Sequence, residues 1–181
     1  SAAHARKWLA GRRGADEPVP LEADRQAWVE VVYQRYLALV VGAMRRHDPN
    51  HLIFSPRLNG AALRSKEVIA TVAGWCDVVC VNPYGTWQVR ENQISEWSAD
   101  GRRPVLIAEW YAKGADSGLP NKAGVGFLVK TQRDRGWFYQ NFIMATLSSP
   151  AIVGWHWHRY LDNDPLGREP SPSNRDSNKG V

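Results

Sequence analysis

Residues 103 to 114, RPVLIAEWYAKG, run four apolar residues into a single carboxylate, Glu109, and then into two aromatics. A carboxylate serves as nucleophile, general acid or general base, provided that something rigid holds it in place. Polar and aromatic groups end three other apolar runs as well: Ser55 and Arg57 after HLIF, Asn82 and Tyr84 after CDVVCV, and His156, Trp157 and His158 inside AIVGWHWHRY. Arg57 and Asn82 can bind ligand hydroxyls or pair with each other at a rim. Tyr84 follows Asn82-Pro83, where proline fixes the turn out of the strand. Trp157 offers a flat face for a sugar ring or a base, and packing in the core is its alternative. His156 suits one hydroxyl contact. His156 and His158 with Asp162 or Asp164 have the chemistry of zinc ligands. Histidines two apart at a strand end are a weak signal, however, and no metal or other cofactor is expected. The DND at 162 to 164 lacks the glycine and the distal glutamate of an EF-hand.

Such side chains need elements to position them. Residues 1–21 read as a short helix and a Gly/Pro-punctuated loop. From Asp24, a plausible N-cap, to Arg46 the apolar positions Trp28, Val31, Val32, Tyr36, Leu39, Val40 and Ala43 recur at helical spacing. Then follow a strand ending at Pro56, a helix over ALRSKEVIATVAGW, a strand over CDVVCVNPYG and a helix over WQVRENQISEWSAD. PVLIAEW forms a strand, AKGADSGLPNKAGVG a long loop, KTQRDRGWFYQNFIMATLSS a helix and AIVGWHWHRY the last strand. The tail, residues 165–181, is polar and expected to be poorly ordered. Near-continuous Val, Ile and Leu strands alternating with helices indicate an α/β fold with parallel strands covered on both faces.

Doubly wound sheets and βα barrels both satisfy that alternation. No strand leads into a GxGxxG or GxxxxGK fingerprint. The polar and aromatic strand ends fit a (β/α)8 TIM-type barrel, whose sites lie at the carboxyl ends of the strands. A complete barrel takes about 250 residues, whereas the 181 residues here hold four clear strands. The reading is half a barrel, comprising the last four strand-helix units, over residues 22–164.

Composition narrows the partners. The net charge is +5, but no block of basic residues exceeds two, so a nucleic-acid partner is not expected. No apolar run approaches the roughly 20 residues of a membrane span. Cys76 and Cys80 are too few for a disulfide scaffold and lack further zinc ligands; buried free thiols are expected. Nine tryptophans are the anomaly; Trp8, Trp28, Trp75, Trp97 and Trp137 are assigned to packing. Ser1 opens no signal-peptide pattern, so a secretion signal, if the full protein has one, lies outside this chain.

DPNHLIFSPRLNG, CDVVCVNPYG, RPVLIAEWYAKGADSG and SPAIVGWHWHRYLDNDP, in that order and at these separations, resemble the last four strand regions of the β-agarase-like glycoside hydrolases, in the clan of retaining (β/α)8 glycosidases. The resemblance covers about residues 22 to 167. It implies double displacement, with two carboxylates about 5–5.5 Å apart. It matches Glu109 to the nucleophile after the seventh strand, Tyr84 to a phenol that donates to it and Trp157 to a sugar platform. The acid/base glutamate belongs after the fourth strand, preceded by Asn. Glu17, the sole glutamate in residues 1–21, sits in a DEP loop without that Asn. The second carboxylate is therefore expected outside this chain, in a missing N-terminal half or a second chain, and the implied substrate is a β-linked galactan such as agarose. A carbohydrate-binding protein without catalysis and a metal-dependent barrel hydrolase are the alternatives.

Overall fold

A computed structural model describes residues 2–14, 19–99, 101–163, 166 and 177–181. Glu17 and Asp164 lie outside the described residues. The chain opens with α1 (Ala2–Arg13) and the long helix α2 (Glu22–His47). Asp24 is not the N-cap; Leu21 is. Asp24 lies one turn further in, where its carboxylate accepts the Leu21 amide at 3.0 Å, Arg12 Nε at 3.1 Å and Arg13 Nη2 at 2.5 Å. The amide first, then the arginines, hold its carboxyl below the usual range. That cluster ties α1 to the start of α2.

The buried face of α2 also differs from the expected stripe. Leu37 and Val41 enter the core, while Val31, Val32, Tyr36, Leu39 and Val40 are exposed. The helix is apolar on two sides: the Leu37–Val41 side packs on α4 (Lys66–Trp75), while near its start Trp28 meets Trp8 of α1 with ring centroids 5.3 Å apart. The helix expected over residues 62–75 breaks at Ser65 into α3 (Gly60–Arg64) and α4. The Ser65 hydroxyl accepts the Val68 amide at 3.2 Å, which caps α4.

Three strands build the main sheet: β1 (Val79–Val81), β2 (Val105–Trp110) and β5 (Ile152–Trp157), all parallel in the order β1-β2-β5. The strand expected before Pro56 reduces to two isolated bridges, Phe54 to Val78 and Leu58 to Val81. Proline has no N–H to give a continuous ladder. Helices α5 (Glu91–Trp97) and α6 (Gln132–Leu147) complete the α/β alternation. The long loop after β2 carries a strand, β3 (Ala112–Gly114), that pairs in parallel with β4 (Phe127–Val129). The Gly-rich sequence concealed β3, and β4 is only three residues long.

The core lies between the sheet and its helices, with Val72, Val79, Val81, Val105, Ile107, Phe138 and Phe142 almost wholly buried. Trp110 stacks on Phe142 of α6, with ring centroids 4.0 Å apart at 9°. Cys76 and Cys80 are buried free thiols, as expected, and burial pushes Cys76 up to about 11. Trp97 is buried, but Trp137 is exposed with the Arg133 guanidinium 4.9 Å from its ring, so its assignment to packing fails. Residues 177–179 are buried, which corrects the expectation of a loose tail for that stretch. The sheet is small and open: among the described residues β5 has a strand neighbour on one edge only.

Candidate active site

Strand β2 turns its helix-facing residues, Ile107 and Trp110, into the core, and its register with β5 slips between them. A bulge of this kind re-aims side chains at a strand end. Glu109 sits in that slip. Its side chain is 15% exposed, and its partners come from the ends of other segments. The Tyr84 hydroxyl donates to Oε2 and Arg57 Nη1 donates to Oε1. His158 Nδ1 lies 3.9 Å from Oε2, too long for a hydrogen bond and close enough for electrostatic coupling.

The charge states follow from these surroundings. Burial, then the bond to Glu109 and its negative charge, push the Tyr84 phenol up, so it stays a proton donor at neutral pH. Burial pulls His158 down, against the opposing pull of Glu109 and with help from Lys179, Arg159 and Arg57. His158 is thus neutral near pH 7. The phenol and the guanidinium each donate to one oxygen of Glu109 and fix the direction of its carboxylate, the positioning a nucleophile requires.

Of the sequence-derived candidates, Glu109, Tyr84 and Arg57 come together. Asn82 is buried next to them in the chain, and its Oδ1 has no hydrogen-bond partner among the described residues. Together with Tyr84, Asn59, Gln93 and Trp97 it lines a cleft of about 570 Å³. His156 is exposed; the histidine near Glu109 is His158. Trp157 packs against the edge of Trp110, its Nε1 donates to Lys179 O at 2.6 Å, and the Arg135 guanidinium lies 5.4 Å from its ring. Among the described residues no three His, Cys, Asp or Glu side chains gather as a metal site. No described helix is long and apolar enough to cross a membrane.

Residue-by-residue reading missed two participants. Tyr111 packs edge-on against Tyr84, with centroids 5.7 Å apart at 76°. Gly126 makes that seat possible, since a Cβ there would collide with the Tyr111 ring. Lys179 reaches the site from the far C-terminal stretch, its Nζ 5.0 Å from the Tyr111 ring centroid. The aromatic pair after Glu109 was a visible signal for Tyr111; nothing in the sequence signalled Lys179.

The same architecture occurs in solved structures. The protein BpGH50 superposes with a TM-score of 0.84 at 26% identity, over 99% of this chain and 37% of its own. A structure described as an exo-β-agarase superposes with a TM-score of 0.77 at 24% identity, over 98% of this chain and 26% of its own. In fold, the chain resembles the β-agarases. A structure described as a β-D-glucuronidase for Dictyoglomus thermophilum shares the fold less closely, over 82% of this chain and 25% of its own, at 22% identity and a TM-score of 0.58. The chain spans between about a quarter and two fifths of the length of these proteins. No family model and no curated protein matches the sequence.

Proposed function

We propose that the chain is the C-terminal half of the catalytic barrel of a retaining glycoside hydrolase that cleaves a β-linked galactan such as agarose, with Glu109 as nucleophile. The observation that carries this reading is the environment of Glu109, whose two oxygens accept from Tyr84 and Arg57. In the proposed reaction Glu109 attacks the anomeric carbon while an acid supplied from outside this chain protonates the departing oxygen. Water, deprotonated by that same group, then releases the sugar. Tyr84 and Arg57 hold Glu109 aimed. The buried Asn82 Oδ1 would gain a partner from a sugar hydroxyl, and His156 and Trp157 complete the proposed carbohydrate contacts. Without the acid, general acid catalysis worth typically 10²–10⁴-fold is lost, so the activity belongs to a molecule that includes the first half of the barrel.

The test is product release from agarose by the intact protein. Glu109→Gln should abolish turnover and leave binding intact, and a mechanism-based fluoroglycoside should attach to Glu109. Attachment at another carboxylate would overturn the assignment; loss of turnover with a chelator would favour metal-dependent hydrolysis instead.

A further inference from the structure

The described C-terminal stretch, residues 177–181, is fastened to the site by a dense set of bonds. The Asp162 carboxylate accepts Asn178 Nδ2 at 2.9 Å and the amides of Lys179 and Gly180 at 2.6 and 2.7 Å. Trp157 Nε1 donates to Lys179 O at 2.6 Å, and Arg135 Nη2 donates to Gly180 O at 2.6 Å. On its other side the stretch holds the loop after β2. Ser177 Oγ donates to Ala123 O at 2.5 Å, the Asn178 amide donates to Asn121 Oδ1 at 2.7 Å, and the Gly114 amide donates to Asn178 Oδ1 at 3.1 Å. That loop is also drawn together from within: Lys113 Nζ, itself buried, donates to the carbonyls of Asn121, Ala123 and Gly124, each at 3.1 Å.

This clasp delivers one charge. Lys179 is 2% exposed, and its ammonium stands 5.0 Å from the Tyr111 ring centroid. The Tyr111 ring is 6.1 Å from His158, and His158 adjoins Glu109. We propose that residues 177–181 form a clasp anchored by Asp162, and that Lys179 is the positioning residue it delivers: its buried ammonium packs against the ring of Tyr111 and so seats that ring against His158 beside Glu109. The inference rests on Glu109 being the working carboxylate. A neutral His158 leaves Glu109 to Tyr84 and Arg57, with no second cation to blunt it as a nucleophile. The charged and titratable groups acting on His158 are Glu109, Lys179, Arg159 and Arg57, with Tyr111 alongside.

The titration of His158, followed by NMR in the chain as it stands, tests this without any turnover, so its outcome is independent of whether Glu109 proves catalytic. The His158 midpoint should rise in Lys179→Met and stay low in Lys179→Arg. It should also rise in Asp162→Asn. Removal of the Asp162 charge alone would push the midpoint down, so a rise there reports release of the clasp. The Trp157 indole N–H, bonded to Lys179 O, should be protected from exchange in the unaltered chain and lose protection in Asp162→Asn. An unmoved midpoint in Lys179→Met overturns the role of Lys179, and an indole that exchanges freely in the unaltered chain overturns the clasp.

Discussion

At the scale of residues, the chemistry gathers at one carboxylate and the donors that hold it. Tyr84 is kept protonated by burial and by the charge it serves, so its hydroxyl can donate to Glu109 across the physiological range. In the intact protein Tyr84→Phe is expected to lower kcat by about 10- to 100-fold with a smaller change in KM, because a hydrogen bond to a charged group contributes about 1.5–3 kcal/mol. Steady-state kinetics against the unaltered protein checks this. A second carboxylate is structural: Asp77 accepts the Ile53 amide at 2.7 Å and the Arg45 guanidinium. The amide first, then Arg45, hold its carboxyl below the usual range. Asp24 is depressed in the same sense. For a carboxyl depressed in the folded state, stability is present above the unfolded value and is lost as pH falls through the folded one. Acid unfolding should therefore set in below about pH 4, and Asp77→Asn should flatten that acid limb, as urea titrations at stepped pH would show.

At the scale of elements, the register slip in β2 and the stacking of Trp110 on α6 decide where Glu109 points. Phe142 is fully buried beneath Trp110. Phe142→Ala should cost about 3–5 kcal/mol, read as a drop in the denaturant midpoint, with Glu109 loosened as a consequence. Ser65 separates α3 from α4 and caps the latter. Ser65→Ala should cost about 1 kcal/mol in the same measurement without touching the site. The alternation of strand and helix was readable because short, near-continuous apolar runs and stretches of period 3.6 differ along the chain. The split at Ser65 and the short parallel pair β3–β4 were not. The first hangs on one capping bond inside a stretch of helical pattern, and the second on a ladder of three residue pairs.

At the scale of the whole molecule, the exposed apolar side of α2 and the edge of β5 that has no strand neighbour among the described residues are surfaces that a soluble monomer rarely leaves bare. Exposed Val31, Val32, Tyr36 and Leu39 also line a groove of about 740 Å³ with α1 residues His4, Lys7 and Trp8. On the proposed half-barrel reading, these are faces that the first half covers. The chain by itself should associate with rising concentration in sedimentation velocity, and Leu39→Glu should reduce that association while leaving the circular dichroism spectrum unchanged.

The sequence by itself determined the α/β alternation, the buried thiols and the delivery of Glu109 to the end of an apolar strand, because these follow from local periodicity and composition. It also supplied Tyr84 and Arg57 as candidates, because both stand where apolar runs give way to polar residues. Tertiary structure alone decided that both donate to Glu109, that His158 rather than His156 lies beside it, and which side of α2 is buried. It also decided that residues 177–181 fold back to place Lys179 near Tyr111. Those outcomes depend on a bulge, on the choice between two apolar helix faces and on bonds between residues more than fifty positions apart, and short-range pattern carries no information about such contacts.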